Sequence, residues 1–185
     1  MQSNSFSFGR FDLSSDSITL TNITFISNSA STTQFITDNT PLDFSDSVTT
    51  IIFYQCKWNY NVNTNNAGAI SISQNDKSIS FTGCTFSHNK GAYGGALRLP
   101  SSENTITVDG CTFENNTATT NGLDIYIYKS NADDGYGVFI TNTNQFNEVS
   151  KTGSLIYAAG KFDFEFPSIS YKTGANEFAR FLEIA

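Results

Sequence analysis

The stretch Phe86-Ser-His-Asn-Lys-Gly-Ala-Tyr-Gly-Gly-Ala-Leu97 is the most regular copy of a pattern that recurs along the chain. It joins an aromatic residue to an Asn three positions later and ends in Gly-Gly-Ala-Leu. A short pattern that returns at a nearly constant period indicates a stacked, solenoid architecture. The pattern therefore says more about the shape of the protein than about its chemistry.

The aromatic residue sets the register of the repeat, and three positions around it keep their residue type. The aromatic position holds Phe25, Trp58, Phe86, Phe113 and Phe146, with Tyr171 as a sixth member. Two residues earlier come Ile23, Cys56, Cys84, Cys111 and Asn144, and three residues later come Asn28, Asn61, Asn89 and Asn116. Like residues at like offsets predict ladders in which each side chain stacks on its counterpart, and an Asn ladder can satisfy its own amide groups.

Apolar residues also recur upstream of the aromatic position, in strand-like alternation. Seven residues before it come Ile18, Ile51, Ile79, Ile106, Phe139 and Phe164, and five before it come Leu20, Phe53, Phe81, Val108, Thr141 and Phe166. Just before the aromatic residue, the apolar positions switch from odd to even spacing. This switch predicts a corner in the chain where Gly83 and Gly110 lie. A second strand is predicted at 34–36, 69–72, 96–99, 124–128, 154–157 and 181–184, although Phe178, Phe181 and Leu182 also fit a short helix.

These features predict an all-β fold, a right-handed, single-stranded parallel β-helix of about six coils. Residues 1–185 are read as one domain. It is expected to be a segment of a larger protein or assembly, because neither end of the chain shows the polar cap that an isolated solenoid needs. A β-sandwich also has many short strands with turn signals. Its strands would not repeat the same residues at the same offsets, so the β-helix is preferred.

Composition and charge exclude several classes of partner. The net charge is −7 and the 10 basic residues are scattered, whereas nucleic-acid binding needs clustered Lys and Arg. No apolar run is long enough for a membrane span, and the first residues do not resemble a signal peptide. Low charge with abundant Asn, Ser and Thr suits an extracellular or cell-surface protein, and no cofactor is predicted.

The three cysteines, Cys56, Cys84 and Cys111, share one register position. A disulfide would join two of them and leave one over. A stack of small buried thiols is preferred, because free Cys is among the most buried residue types. Spacings of 28 and 27 residues do not fit a Cys-x-x-Cys metal or redox motif.

The pairing of Phe-x-x-Asn with Gly-Gly-Ala-Leu in residues 86–97 resembles the repeat of the chlamydial polymorphic outer membrane proteins. Residues 25–28 and 113–116 match the first half of that repeat, and 67–70 match the second half with one change. The resemblance implies a right-handed β-helix that serves adhesion and display at a cell surface. Its motif positions are structural, so it transfers no binding residue, and the chain lacks the translocating β-barrel of the bacterial proteins.

Catalytic candidates are sparse. The single histidine, His88, lies on a predicted turn between a ladder Phe and a ladder Asn, where an exposed turn residue is expected. Acidic pairs that a β-helix glycosidase or lyase could use are Asp43 with Asp46, Asp133 with Asp134, and Asp163 with Glu165. No Arg or Lys recurs beside them as a lyase base would, so no enzymatic activity is predicted.

Two further features concern the surface. Tyr126 and Tyr128 alternate with Ile125 and Ile127, so one parity faces outward, for sugar or protein contact or for cross-strand packing. Asn22-Ile-Thr24 and Asn115-Asn-Thr117 are candidate N-glycosylation sites.

The preferred function is a non-enzymatic surface or extracellular structural domain for display, adhesion or filament assembly. Its expected partners are protein or glycan surfaces and, by end-to-end or lateral self-association, other copies of the chain. The alternatives are a carbohydrate-active β-helix enzyme and an intracellular structural scaffold, to which reduced cysteines would be suited.

Overall fold

The structure is a computed structural model that describes residues 17–26, 29–30, 49–72, 78–101, 105–129, 137–141, 143–147, 153–159, 163–164 and 180–185. All secondary structure in these ranges is β. They contain no helix, and so no helix long and apolar enough to cross a membrane. Predicted positions at Asn28, Tyr171, Phe166 and 34–36 lie outside the described residues.

The chain contributes short strands coil by coil. The first coil has β1 (Ser17–Thr21), β2 (Thr24–Ile26) and β3 (Ser29–Ala30), and the second has β4 (Thr50–Tyr54), β5 (Lys57–Asn59), β6 (Val62–Asn63) and β7 (Ile70–Ser71). The third has β8 (Ser78–Thr82), β9 (Thr85–Ser87), β10 (Lys90–Tyr93) and β11 (Leu97–Ser101). The fourth has β12 (Ile106–Asp109), β13 (Thr112–Glu114), β14 (Thr117–Asn121) and β15 (Ile125–Lys129). Then follow β16 (Val138–Ile140), β17 (Gln145–Asn147), β18 (Ser154–Ala158), β19 (Asp163–Phe164) and β20 (Arg180–Ile184).

These strands form four parallel sheets, named here in the order in which the chain visits them. The first is β1-β4-β8-β12-β16-β19 and the second is β2-β5-β9-β13-β17. The third is β3-β6-β10-β14 and the fourth is β7-β11-β15-β18-β20. The fold is therefore the predicted parallel β-helix. Within the described ranges only three coils, the second to the fourth, contribute a strand to every sheet, so the predicted count of about six includes incomplete coils.

Aromatic rings fill the interior as a continuous ladder. Neighbouring rings of Phe25, Trp58, Phe86, Phe113 and Phe146 stack with centroids 4.9–5.1 Å apart and nearly parallel planes. The rings of Phe53 and Phe81 form a second stack at 5.2 Å, and both meet Trp58 edge-on. The ladder follows from strand pairing, because parallel strands in register place each ring above its counterpart at roughly 4.8 Å.

The asparagine ladder lies where the chain leaves the second sheet, and its members Asn61, Asn89 and Asn116 are buried. Asn61 donates its backbone N–H and its Nδ2 to Oδ1 of Asn89, at 3.0 and 2.9 Å. Asn89 donates the same two groups to Oδ1 of Asn116, both at 2.9 Å. Each Nδ2 also donates to a main-chain carbonyl of the preceding coil, as Asn89 does to Trp58 at 2.9 Å. The amides thus satisfy one another from coil to coil, as predicted.

The predicted corner between the first and second sheets is a single residue in left-handed conformation. The φ angles are 56° at Asn22, 53° at Gln55, 61° at Gly83 and 60° at Gly110. L-residues other than Gly adopt this conformation at a cost, and Asn and Asp do so most readily. Four equivalent residues therefore turn the chain in four successive coils, and two of them are glycines.

The register predicted for the fifth coil is wrong by one residue in its first strand. Val138 and Ile140 continue the interior rungs, pairing with Ile106 and Val108. Phe139 instead pairs with Thr107 and is partly exposed, and Thr141 is not an interior rung. One extra residue at the 141–143 corner causes the shift, because the next predicted rung, Asn144, is again buried.

Two other sequence predictions need correction. Phe164 was expected to align with Phe139, but its backbone pairs with Ile140. The short helix considered around Phe181 and Leu182 is wrong, since this stretch is strand β20, paired with β18. The third sheet was not predicted as strands at all, because segments such as Thr117–Asn121 are polar and lack alternation.

We predict that Asn89→Ala lowers the free energy of unfolding by about 3 kcal/mol or more, since it leaves buried donors and acceptors on both neighbouring coils without partners. Urea unfolding, followed by the fluorescence of the single tryptophan, Trp58, measures the loss. Asn59→Ala is the matched control, because Asn59 is only partly buried and accepts one bond, from Ser87. A loss at Asn89 no larger than at Asn59 would contradict the ladder's contribution.

We also predict different costs for two glycine substitutions. At Gly110 an added Cβ meets no atom closer than 3.8 Å, so Gly110→Ala costs only the left-handed conformation, roughly 1–2 kcal/mol. At Gly95 the added Cβ would clash with the carbonyl oxygen of Leu123 and the amide of Thr117. Gly95→Ala is therefore expected to destabilise by several kcal/mol in thermal or urea unfolding. Equal losses at the two positions would contradict this distinction.

Candidate functional site

The outer face of the fourth sheet carries partly exposed tyrosines whose rings contact one another. In β15 the side chains of Ile125 and Ile127 are buried in the interior, whereas Tyr126 and Tyr128 point outward and are partly exposed. The alternation follows from the period of two residues in a strand. Of the two alternating sets in this strand, the tyrosines are therefore the set that faces outward.

Three tyrosines from three coils meet on this face, and we call Tyr93, Tyr126 and Tyr157 the tyrosine strip. The ring centroids of Tyr126 and Tyr157 lie 5.4 Å apart with planes within 6°. The ring of Tyr93 joins from the end of β10, 5.3 Å from Tyr126 and tilted by 51°. In-register pairing of β15 with β18 places Tyr157 directly beside Tyr126. The strip is held by the backbone of the helix and does not depend on a loop.

Charged residues stand at both ends of the same column of the sheet. Arg98 pairs with Tyr126 on one side, and Glu183 pairs with Tyr157 on the other. The Arg98 guanidinium carbon lies 3.9 Å from the ring centroid of Tyr128, a cation–π contact. The column therefore runs from a cation through two phenols to an anion.

The polar tips divide the tyrosines into two kinds. Tyr128 donates its hydroxyl to the main-chain oxygen of Ile72 at 2.8 Å, two coils away, and so ties coils together. Within the part of the chain that the structure describes, the hydroxyls of Tyr93, Tyr126 and Tyr157 make no hydrogen bond. Tyr128 is thus structural, while the tyrosine strip presents free phenol groups.

Burial and neighbouring groups shift the ionisation of this face. The pKa of Tyr126 is raised, chiefly by burial and then by the neighbouring Tyr157 phenol. Burial also raises the pKa of Tyr128, against the opposing effect of Arg98. Both phenols are therefore neutral at physiological pH and act as hydrogen-bonding groups, not as anions.

A small cleft of about 70 Å³ adjoins the strip at the edge of the third sheet. Its lining consists of Ala118, Thr120, Asn121, Gly122, Leu123, Gly153, Ser154 and Glu183. Glu183 belongs both to the cleft and to the column of the tyrosine strip. Hydroxyl, amide and carboxylate groups therefore stand beside the aromatic rings.

The predicted acidic pairs do not form a described site. Asp43, Asp46, Asp133, Asp134 and Glu165 lie outside the described residues, and for Asp163 the structure gives only the backbone pairing with Phe139. His88 is an exposed corner residue, as predicted, with φ of 55° and its ring 4.8 Å from that of Tyr60. No three His, Cys, Asp or Glu side chains in the described ranges converge as metal ligands.

The three cysteines are free and buried, as the preferred prediction had it. Each thiol donates to a main-chain carbonyl of the preceding coil at 3.3 Å, Cys56 to Leu20, Cys84 to Phe53 and Cys111 to Phe81. Burial raises the pKa of Cys56, and that of Cys111 well above its ordinary value of 9.0. The pKa of Cys84 is instead lowered, chiefly by a hydrogen bond with the Cys111 side chain, so Cys56 and Cys111 are the two thiols that hold their protons more tightly than a free thiol does.

Two aspartates have roles that the sequence analysis missed. Asp124 is fully buried, and its Oδ1 accepts from Nδ2 of Asn116 at 2.9 Å, which ends the described asparagine ladder on a carboxylate. It occupies the position that Ala96 holds in the preceding coil. An acid at a position where alanine is expected was the sequence signal that could have identified it. Asp109 accepts from the hydroxyls of Thr141 and Thr143, both at 2.6 Å, and these bonds lower its pKa. Asp109 thereby holds the one-residue insertion of the fifth coil.

Both candidate glycosylation sites lie at left-handed corners of the helix. Asn22 is exposed with φ of 56°, and Asn115 is partly buried with φ of 52°. The residue after Asn115 is the ladder member Asn116, whose side chain points inward. The two asparagines are thus at the surface of the helix, and their modification stays a prediction.

Comparison with known proteins adds no family to this description. No protein-family model, no curated protein and no solved structure matches the chain. The fold and the surface chemistry are therefore the basis for a functional proposal.

We predict that stability declines in alkali through the cysteine ladder. The folded state keeps the Cys111 proton above pH 9, where the unfolded thiol loses it, so the folded state binds more protons and the free energy of unfolding falls as pH rises. The fall due to Cys111 approaches about 1.4 kcal/mol per pH unit, and the lowered pKa of Cys84 acts in the opposite direction. Urea unfolding between pH 7.5 and 10 under reducing conditions measures it.

Cys111→Ala should reduce this alkaline slope, although it also lowers stability at neutral pH by removing buried volume. Val108→Ala is the control, since Val108 is buried in the same coil and does not ionise. An unchanged slope in Cys111→Ala would contradict the assignment of alkaline sensitivity to the thiol.

Proposed function

We propose that this chain is a non-enzymatic structural domain at the cell surface or outside the cell, where its β-helix displays a contact surface. The single observation that carries the proposal is the tyrosine strip, a set of exposed and partly exposed rings in contact that come from three coils. Aromatic residues with one apolar body and one polar tip are enriched at binding surfaces. The resemblance of the repeat to surface β-helix proteins supports the same role.

The interior supports a structural role, because its polar groups serve stacking. The described asparagines bond to one another, Asp124 accepts from the ladder, and the three thiols bond to main-chain carbonyls. The acid Asp109 is bonded to two threonine hydroxyls. A catalytic set would need an acid and a base facing a shared space, and these groups are engaged in holding coils together.

Adhesion and display require rigidity at the contact surface, and the strip has it. Tyr126 and Tyr157 are placed by strands paired in register, and their rings restrict one another by stacking. A ring held in this way loses little conformational freedom when it is covered by a partner. The β-helix thus supplies a preorganised surface for contact with a glycan or a protein.

The three free thiols favour a second candidate, an intracellular scaffold. Buried, reduced cysteines are common where the environment is reducing. The two candidates differ in location and in modification at Asn22 and Asn115.

We predict that antibodies against this domain label intact cells that make the protein. Labelling should not increase more than about twofold after permeabilisation, and protease added outside the cells should remove it. An antibody to a cytosolic protein of the same cells is the control for integrity. Labelling seen only after permeabilisation would overturn the surface proposal and support the intracellular scaffold.

A further inference from the structure

We propose that the tyrosine strip binds an extended neutral glycan along the axis of the β-helix, with Arg98 and Glu183 as polar ends of the site. This inference rests on the proposed function, because it names the ligand class of the same surface.

The stacked rings present their edges and hydroxyls to a ligand. Tyr126 and Tyr157 face each other with planes within 6°, so each covers part of the other's face. What remains at the surface is a row of C–H edges that ends in phenol oxygens. A ligand that fits this row offers hydroxyl groups to the phenols and small apolar patches to the ring edges. Sugar rings carry both kinds of group.

The spacing of the row suits a polymer of rings. The centroids of Tyr126 and Tyr157, which are in register on neighbouring coils, lie 5.4 Å apart, slightly above the ~4.8 Å strand spacing of the helix. Tyr93 stands beside Tyr126 at 5.3 Å, at the end of a strand of the third sheet. One pyranose unit of an extended chain has a similar length, so successive sugars can meet successive tyrosines. The free hydroxyls then become donors or acceptors to a series of sugar hydroxyls.

The surrounding groups extend the same hydrogen-bonding chemistry. Arg98 supplies donors at one end of the column, and Glu183 supplies acceptors at the other. The cleft beside the strip adds the amide of Asn121 and the hydroxyl of Thr120. Donors and acceptors are thus both present within reach of a bound sugar chain.

The charge of the protein selects a neutral ligand. The net charge is −7, which repels a polyanion such as a uronic-acid or sulfated polysaccharide. Arg98 alone does not offset this charge, because its guanidinium lies over the Tyr128 ring with Glu183 at the other end of its column. The site therefore favours uncharged hexose, pentose or N-acetylhexosamine units.

The observations favour a glycan over a protein partner. A stable protein interface buries roughly 800 Å² on each side around an apolar centre with few charges. The tyrosine strip has two rings in one column with Tyr93 beside them, and its neighbours Arg98, Glu183, Asn121 and Ser154 are polar. A narrow row with hydrogen-bonding groups on each side matches one extended sugar chain.

The test uses the whole chain and an array of linear hexasaccharides of glucose, mannose, xylose and N-acetylglucosamine, with hexauronic acids as charged comparators. Hits are measured by isothermal titration calorimetry. We expect at least one neutral hexasaccharide to bind, its trisaccharide to bind more weakly, and the acidic oligomers not to bind. Neutral binding should change little between 50 and 500 mM salt.

Variants separate the hydroxyls from the rings. The double variant Tyr126→Phe with Tyr157→Phe keeps both rings and should weaken binding at least fivefold, because two hydrogen-bonding groups are removed. The double variant Tyr126→Ala with Tyr157→Ala should abolish it. Tyr60→Phe is the matched control, since Tyr60 is 56% exposed and its ring stacks on His88 away from the strip. Tyr128→Phe should lower the thermal stability and leave affinity within twofold.

Each contrary result overturns the glycan proposal. These results are no neutral hexasaccharide bound at millimolar concentration, binding of acidic oligomers alone, or affinity unchanged in the double Phe variant. If the chain binds a cell-surface protein, and this binding requires Tyr126 and persists after glycans are removed from the cells, the strip would be assigned to a protein partner instead. Surface labelling of intact cells is measured separately, so the glycan proposal can fail while the proposed function stands.

Discussion

In-register pairing of parallel strands is the constraint on which this molecule depends. It places each residue of one coil directly above its equivalent in the next, so any side chain chosen for the interior must be compatible with its own copy. Phe stacks on Phe with ring centroids 5.1 Å apart, and Asn donates its side-chain Nδ2 to the Oδ1 of the next Asn. The repeat of the sequence is thus a direct consequence of the pairing, since like residues are the simplest solution to stacking.

The same constraint determines what the protein can present to its surroundings. A residue that recurs at an outward position becomes a row along the helix axis, and its spacing is fixed by the backbone. Tyr126 and Tyr157 form such a row of two rings, and Tyr93 joins it from the end of a strand in the third sheet. The tie between coils is made by the neighbouring Tyr128, which donates its hydroxyl to the carbonyl of Ile72.

The regular part of the fold could be predicted from the sequence, and the exceptions have physical causes. The ladders at Cys84, Phe86 and Asn89 repeat the same residue types, so aligning the copies located them. The fifth coil could not be aligned correctly, because a one-residue insertion at 141–143 leaves the downstream rung intact while shifting Val138 and Ile140. Its anchor, Asp109, bonds to threonines more than thirty positions away, which no local pattern indicates.

The candidate site was predictable only in part. Alternation in β15 identified Tyr126 and Tyr128 as possible surface residues but could not tell which was structural. That difference depends on the Tyr128 hydroxyl reaching a carbonyl two coils away. Tyr157 belongs to another segment and joins the strip through the pairing of β18 with β15, and Tyr93 joins it through a ring contact with Tyr126 from the end of β10. A surface built across coils becomes visible once the register of every coil is known.

The asparagine ladder also bears on how such a chain can lengthen by duplication of its gene. Each inner Asn receives from the coil before it and gives to the coil after it, so a copied inner coil would find a donor on one side and an acceptor on the other. The coil that carries Asp124 is different, because there the side chain of Asn116 donates to Asp124 of its own coil. Duplication of residues 79–105 would therefore preserve the ladder, whereas duplication of the coil with Asp124 would bury a second acid. The number of coils is open to evolutionary change in the middle of the stack and restricted at that end.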